Sequence, residues 1–317
     1  MVPPGRVGGG QPSFGVLGGD RPVRRLLPLA AGVLTGVLAL AGCSGGGGSS
    51  DSAPGPSSAG SGATGSSSAG SGGTGSVSPA PTPSRATQAP SPEERACYRL
   101  SYAQAVAPTT AAHSVPCGRS HTSMTFAVGR LAAVVDGHLL AVDSRRVQQQ
   151  VATTCPRRLT SYVGGTADDL RLSMLRSVWF TPTVAQSDAG QDWFRCDVIA
   201  VAADGRLAPL APRMAGVLGT SQGQDRFGMC GTAEPGAADF ARVVCSRPHS
   251  WRAVQVVHLT GGSYPGTAAA RDAGQGPCQD AGRAAAADTL DFRWGYQWPT
   301  RQQWADGQHY GLCWVPD

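Results

Sequence analysis

The sequence predicts an α+β fold made of two tandem small domains, each stapled by disulfides, after a signal peptide and a disordered linker. Three observations predict it: the cysteines fall into two matching sets of four, the segments around the sets are similar, and residues 1–92 differ from the rest in composition. The first set is Cys97, Cys117, Cys155 and Cys196, and the second is Cys230, Cys245, Cys278 and Cys313. Because the gaps run short, long, long in both sets, the chain contains an internal repeat.

Residues 1–42 have the pattern of a lipoprotein signal peptide. Arg24 and Arg25 precede an apolar run over 26–40, which is too short to span a membrane as an ordinary transmembrane anchor. The run ends in Leu40-Ala41-Gly42-Cys43, which resembles the bacterial lipobox. We therefore expect Cys43 to carry a diacylglyceryl group, whose two acyl chains suffice for stable anchoring in the membrane. The arginines leave both general and twin-arginine export open.

Residues 43–92 are the lipidated cysteine followed by a tract of Gly, Ser, Ala, Pro and Thr. Such a tract has too few apolar side chains to offset its ordering entropy, so it is predicted to be a disordered linker. It could act as a tether or be a linker without further role.

The charge of the chain is too small to indicate a nucleic-acid partner. The formal net charge is +5, and cleavage before Cys43 removes four arginines and one aspartate, which leaves +2. We therefore expect no nucleic acid to bind.

The two repeats are predicted over 93–218 and 219–317, each with the order strand, strand, helix, strand, strand. Apolar and β-branched residues over 125–135 and 254–259 predict a strand after each Cys-x-x-x-His segment. The spacing of four between Val147, Val151, Cys155 and Leu159 predicts a helix over 144–162 with Cys155 on its buried face. Pro156 is expected to break or kink that helix. In the second repeat a helix is expected over 281–287, after Cys278.

Each repeat is predicted to end in a short strand, a turn of helix and a closing strand. The short strands run to Pro182-Thr183 and Pro299-Thr300, and each threonine is expected near the start of the helical turn. The closing strands, 193–201 and 310–315, carry the fourth cysteine of each set. Strands with one packed helix per repeat predict a layered α+β sandwich.

Three interpretations compete for the eight cysteines. Exported small domains are commonly stapled by disulfides, and an even count in each repeat favours that interpretation. Four cysteines allow three pairings and the sequence does not choose among them, but we prefer pairs that join neighbouring segments. The preferred pairs are Cys97–Cys117, Cys155–Cys196, Cys230–Cys245 and Cys278–Cys313.

The competing interpretations are a metal site and a catalytic thiol. Cys117 with His121, or Cys245 with His249, would make half of a zinc site, but the second close pair of ligands is missing. A nucleophilic cysteine would need a free thiol. We therefore predict no metal site, no cofactor, no catalytic residue and no enzymatic activity.

The repeated histidines have two interpretations. Either the ring nitrogen bonds a nearby backbone carbonyl in the turn after each Cys-x-Arg segment, or the ring takes part in binding. Trp251, which directly follows His249-Ser250, is expected to be exposed. The possible binding residues are therefore His121, His249 and Trp251, whereas the aromatics near the last cysteines are expected to pack in the core.

These spaced residues resemble the septum-formation domain of high-GC Gram-positive bacteria. Cys245-Ser-Arg-Pro-His249 matches the Cys-x-x-Pro-His segment of that family, whereas Cys117-Gly-Arg-Ser-His121 lacks the proline. The resemblance covers 93–317, and it implies a cell-surface role in assembly of the division septum without catalytic residues. We expect a non-enzymatic, lipid-anchored module on the outer face of the cytoplasmic membrane that binds a cell-wall or division component. A solute-binding lipoprotein and a cell-wall enzyme are the alternatives.

Overall fold

A computed structural model describes residues 91–317, which fall within one compact unit. The predicted signal peptide, the predicted lipidation site Cys43 and the predicted linker up to residue 90 lie outside the described residues. No helix within 91–317 combines the length and the apolar character needed to cross a membrane.

The first repeat forms a five-stranded antiparallel sheet with a long helix on one face. Its elements in chain order are β1 (Cys97–Tyr98), α1 (Tyr102–Ala105), β2 (Ser123–Arg130), β3 (Val134–Val135), β4 (His138–Leu139), α2 (Arg145–Val163), α3 (Ala167–Arg171), β5 (Leu175–Phe180), α4 (Val184–Asp188), β6 (Trp193–Ala203) and β7 (Arg206–Ala208). The strand order is β1-β2-β6-β5, and β7 pairs with the end of β6. Strands β3 and β4 form a separate hairpin.

The second repeat forms its own five-stranded sheet. After a short 3-10 helix (Val217–Gly219) come α5 (Ser221–Phe227), β8 (Met229–Gly231), β9 (Arg242–Val244), β10 (Trp251–His258), α6 (Thr267–Asp272), α7 (Gln275–Ala285), β11 (Gly295–Gln297), α8 (Arg301–Ala305) and β12 (Tyr310–Pro316). The strand order is β11-β12-β10-β8-β9, again antiparallel throughout.

The two sheets share one topology, so the duplication inferred from the cysteines is also visible in the fold. Strands β5, β6, β2 and β1 correspond in order to β11, β12, β10 and β8. Val115 forms a bridge with Cys97 where Val243 on β9 pairs with Cys230. The register against the closing strand shifts by one residue in β2, after Thr125, and in β10, after Ala253. The predicted α+β class is confirmed.

Helix α2 is continuous through Pro156, so the expectation of a break there is wrong, whereas the kink stays a prediction. Proline removes the N–H that would bond the carbonyl of Ala152 four residues earlier. Both Ala152 and Pro156 lie on the exposed face, where water can satisfy that carbonyl. On the opposite face the four residues predicted to point inward, Val147, Val151, Cys155 and Leu159, are all buried.

Helix α7 begins at Gln275, earlier than predicted, and therefore includes Cys278. Gly282 lies inside this helix, where glycine is normally unfavourable. A Cβ at this position would come within 2.7 Å of the Cβ of Trp294, so the close approach of helix and loop requires the glycine.

The predicted helical turns after Pro182 and Pro299 are confirmed as α4 and α8. Thr183 and Thr300 are the N-caps, and each hydroxyl accepts a hydrogen bond at 3.2 Å from the backbone N–H three residues later. The side-chain oxygens of Gln186 and Gln303 accept hydrogen bonds from the backbone N–H groups of the two N-cap threonines, which completes a capping box in both repeats.

One hydrophobic core extends across both repeats. From the first repeat it takes Met174, Leu175, Val198, Met214 and Leu218, and from the second Val244, Trp251, Val256, Leu312 and Trp314. The two sheets therefore stabilise each other, although the boundary at 218/219 stays a prediction.

Candidate functional site

Four disulfides hold the fold, and their pairing is the predicted one. The bonds are Cys97–Cys117, Cys155–Cys196, Cys230–Cys245 and Cys278–Cys313. In each repeat the first bond fastens an early strand to the turn before the next long strand, and the second fastens the main helix to the closing strand. The eight sulfurs therefore serve as structural cross-links and are not free thiolates.

The two repeated histidines both occupy the turn that follows the second cysteine. Nδ1 of His121 lies 2.8 Å from the carbonyl oxygen of Arg119, and Nδ1 of His249 lies 2.6 Å from that of Arg247. The interpretation of these histidines as turn residues bonded to a nearby carbonyl is confirmed. Whether either also binds a partner stays a prediction.

The surroundings of the two histidines differ. His121 is only 1% exposed, and the backbone N–H of Leu210 donates to its carbonyl at 2.9 Å. The segment after β7 thus covers the turn of the first repeat. His249 is partly exposed, so in the second repeat the same turn is accessible to solvent.

His249 belongs to a polar cluster near the end of β12. Its Nε2 lies 2.9 Å from Oδ2 of Asp317, and Nε of Arg252 donates to the same oxygen at 2.7 Å. Partial burial alone would raise the pKa of the Asp317 carboxyl, but the hydrogen bonds from Arg252 and His249 outweigh it and hold that pKa below its usual value. Ala200 occupies the corresponding position in the first repeat, so the cluster exists in one repeat only.

This cluster includes the candidate metal ligands Cys230, His249 and Asp317, whose ligand atoms lie within 4.8 Å of one another. The sulfur of Cys230 is bonded to Cys245 and cannot act as a thiolate ligand or nucleophile. Arg252 also neutralises the carboxylate that a cation would need. The cluster therefore works as an ion-pair network that fixes the end of the chain to the sheet.

Trp251 is buried, so the expectation that it is exposed is wrong. It is 3% exposed and belongs to the core that both repeats share. The residue starts β10, where it pairs with Gly231 on one side and Pro316 on the other, so neighbouring strands flank it. The guanidinium of Arg293 lies 5.1 Å from the centre of its ring and covers it further.

A buried charge pair in β6 escaped the sequence analysis. Arg195 and Asp197 are 4% and 0% exposed, with 3.2 Å between Nη2 and Oδ2. Ser123 and Thr125 on β2 each donate a hydroxyl hydrogen bond to the carboxylate at 2.8 Å. Burial raises the pKa of Asp197, and these partners only partly offset it. The signal in the sequence was the two charges on either side of Cys196 in an otherwise apolar strand.

The seam between the repeats combines the shared core with backbone bonds and polar contacts. The backbone N–H of Met174 donates to the carbonyl of Phe227 at 2.8 Å, and that of Met229 donates to the carbonyl of Leu172 at 2.7 Å. At the surface, Nε2 of His258 lies 3.0 Å from Oδ2 of Asp168. These contacts join α3 and the segment between α3 and β5 of the first repeat to α5, β8 and β10 of the second.

Comparison with known proteins gives one result. A family model described as septum formation matches residues 66–183 and, in a second overlapping region, 143–313. Two matched regions are consistent with two tandem copies, as the paired sheets also indicate. No curated protein and no solved structure matches the chain. The matched regions together span more than half of the sequence, and the chain therefore belongs to the septum-formation family.

Proposed function

We propose that this protein is a non-enzymatic, lipid-anchored module of the outer face of the cytoplasmic membrane that binds a cell-wall or division component during septum formation. The observation that carries the proposal is the family match over 66–313. It agrees with the four disulfides, since disulfides persist in oxidising compartments outside the cytoplasm.

The N-terminal sequence supplies the means of attachment in this proposal. Cys43 would carry the lipid, and the composition of 44–92 predicts a flexible tether with a root-mean-square span of roughly 35–42 Å. The folded repeats would then reach into the wall layer while staying attached to the membrane.

The packing between the two repeats favours binding of a partner at a surface over capture of a solute in a cleft. A solute-binding lipoprotein would hold its ligand between two bodies that close on it. In the described part of the chain, apolar side chains of both repeats fill the space between the sheets. This packing favours a rigid two-sheet scaffold that presents a surface.

The test is the position of a tagged copy in growing cells beside a Cys43→Ser copy. We expect the first copy to concentrate at division sites, and the Cys43→Ser copy to be lost from the membrane fraction and from those sites. A uniform surface signal from the lipidated copy would contradict the septal role. Equal membrane retention of both copies would contradict lipid anchoring while leaving the septal role in place.

A further inference from the structure

The β3–β4 hairpin of the first repeat carries two strongly exposed apolar side chains. Val134 on β3 is 64% exposed and Leu139 on β4 is 79% exposed. The two residues are direct cross-strand partners, so their side chains lie next to each other on one face of the hairpin. Single exposed apolar residues are normal on a protein surface, whereas adjacent ones mark a candidate contact site.

The hairpin holds these side chains on a fixed element. Asp136 and Gly137 form its two-residue turn with φ of 53° and 78°, and turns with two positive φ values match the twist of paired strands. Below the turn, the side chain of Gln150 on α2 clamps the backbone of Ala132. Its Oε1 accepts from the N–H of Ala132 at 3.1 Å, and its Nε2 donates to the carbonyl of the same residue at 2.9 Å.

The opposite face of the hairpin packs on the fold. Ala133 and Leu140 contact the hydrophobic cluster that surrounds the disulfide between α2 and β6, and the N–H of Leu140 donates to the carbonyl of Ala133 at 2.8 Å. Successive side chains along a strand point to opposite faces. Val134 and Leu139 therefore point away from the cluster, and their exposure follows from the way in which the hairpin is attached.

The hairpin lies in the repeat to which the predicted tether is joined. In the second repeat no strand is present between β10 and α6, a stretch that the structure describes in full. In the first repeat the N–H of Arg95, near the start of the described chain, donates to the carbonyl of Thr125 on β2 at 2.9 Å. From there to the end of β2, where the chain leads into the hairpin, is about 17 Å. The predicted tether, with a span of roughly 35–42 Å, is long enough to let the hairpin reach the membrane.

The size of the apolar pair indicates what kind of partner it fits. Full burial of a Val or Leu side chain contributes about 1.5–3 kcal/mol, so the pair contributes about 3–6 kcal/mol. Two free proteins lose about 4–15 kcal/mol of translational and rotational freedom when they associate, and stable interfaces bury about 1,200–2,000 Å². Two side chains are too few for such an interface. A fold that is already tethered to a bilayer loses much less freedom when it docks there, so a contact of this size suffices.

We propose that the β3–β4 hairpin is a membrane-docking element, which inserts Val134 and Leu139 into the outer part of the bilayer to which the chain is anchored. This inference rests on the lipid anchoring in the proposed function and is independent of the septal role. Asp136 and His138 are exposed at and beside the turn. They stay at the level of the lipid headgroups, because only the face that carries Val134 and Leu139 enters the bilayer.

The experiment measures quenching of an added tryptophan by brominated phosphatidylcholine, with the full lipidated chain reconstituted in vesicles. Leu139→Trp places the fluorophore on the hairpin. Leu290→Trp, at another strongly exposed leucine in the second repeat, is the matched control. After subtraction of the signal of the unsubstituted chain, we expect brominated lipid to quench the added emission of Leu139→Trp by about half and to leave that of Leu290→Trp unchanged.

Two further variants assign the quenching to the apolar pair. Val134→Asp in the Leu139→Trp chain should abolish it, because a carboxylate next to position 139 opposes transfer into an apolar phase. Val184→Asp, the same change at an exposed valine on α4, should leave it intact. Should Leu139→Trp not fold, Val134→Trp takes its place, with Leu139→Asp as the charged variant.

Flotation of the same vesicles separates failure of docking from failure of anchoring. Equal quenching of the two added tryptophans, or quenching that the aspartate next to the reporter leaves unchanged, overturns the docking proposal while a chain that floats remains anchored. A lipidated chain that floats no better than the Cys43→Ser chain contradicts lipid anchoring, and the docking proposal, which needs the anchor, is overturned with it.

Discussion

The Arg195–Asp197 pair is an ion pair whose counterpart in the other repeat is apolar. Leu312 and Trp314 stand at the corresponding positions of β12, on either side of the equivalent cysteine. Buried ion pairs lose hydration that their mutual attraction repays only with good geometry and added hydrogen bonds. Here Ser123 and Thr125 supply the added bonds, and the ring of Tyr98 lies 3.8 Å from the guanidinium carbon of Arg195.

A double-mutant cycle on this pair tests how much it stabilises the fold. We expect Arg195→Leu alone to lower the free energy of unfolding by about 3–5 kcal/mol, because it leaves Asp197 buried without its counter-charge. The double variant Arg195→Leu/Asp197→Leu should recover part of that loss but stay below the wild type, because the buried hydroxyls of Ser123 and Thr125 lose their acceptor. Urea unfolding at neutral pH measures the stability of the wild type, the single variant and the double variant. As a control, removal of the exposed pair Arg130–Asp192 should lower the free energy of unfolding by less than about 1 kcal/mol.

The difference in stability between Arg195→Leu and the wild type should depend on pH. Burial raises the pKa of Asp197 above its unfolded value, so its favourable contribution is present at low pH and is lost as the pH rises through the folded pKa. Loss of Arg195 raises that pKa further. The deficit of Arg195→Leu relative to the wild type should therefore shrink as the pH falls towards 4. A deficit that is equal at neutral pH and near pH 4 would contradict this account. A double variant as unstable as the single one would contradict it as well.

Single residues could be predicted from the sequence where the local chain decides their contacts. The histidine turns were predictable because Nδ1 bonds a carbonyl only two residues away. Trp251 was not, because its burial depends on strands β8 and β12 and on the core contributed by the other repeat.

At the scale of elements, the four disulfides join the neighbouring segments that we preferred from the sequence, and they differ in how much chain they close. Cys155–Cys196 closes a sequence separation of 41 residues and fastens α2 to β6. Cys230–Cys245 closes 15 residues and fastens β8 to the turn after β9. Restricting a longer loop removes more conformational entropy from the unfolded chain.

Removal of the two bonds should therefore have unequal effects. In the chain-entropy model, Cys155→Ala/Cys196→Ala should lower the free energy of unfolding by about 4 kcal/mol and Cys230→Ala/Cys245→Ala by about 3 kcal/mol. All four cysteines are buried, so the packing lost is similar in the two variants. Urea unfolding under non-reducing conditions measures both, with the reduced wild type as the lower limit. A larger loss from the shorter loop would contradict the entropic account.

The helices show where periodicity suffices and where it does not. The spacing of four in α2 predicted its buried face because that pattern depends on helix geometry alone. Whether Pro156 breaks α2 depends on whether water can reach the carbonyl of Ala152. The spacing of the apolar residues indicates that exposure only indirectly. The early start of α7 was missed because Gly276 and Pro277 in its first turn are poor helix formers, and packing of Cys278 against β12 overrides their propensity.

At the scale of the whole molecule, the repeats resemble each other but do not have equivalent surroundings. The face of the second sheet that carries Trp251, Leu312 and Trp314 packs against the first repeat. The corresponding face of the first sheet is covered by its own cluster around Tyr98, Phe180 and Trp193. The second repeat therefore depends on its neighbour to bury three large side chains, and we expect the two repeats to unfold as one cooperative unit.

A fragment experiment tests this dependence. We expect residues 219–317 alone to show no cooperative thermal transition, because three large apolar side chains would be exposed and a domain of this size has little stability to spare. Addition of 91–218 should restore protection from hydrogen exchange in β10 and β12. Met214 lies in the shared core on the side of the first repeat. In the full chain, Met214→Ala should lower the free energy of unfolding by about 2–5 kcal/mol and lower the hydrogen-exchange protection of β10 and β12 by the same amount. A fragment 219–317 that melts cooperatively near the temperature of the full chain would show instead that the second repeat is a self-sufficient domain, and the shared core would then be an interface that its fold does not require.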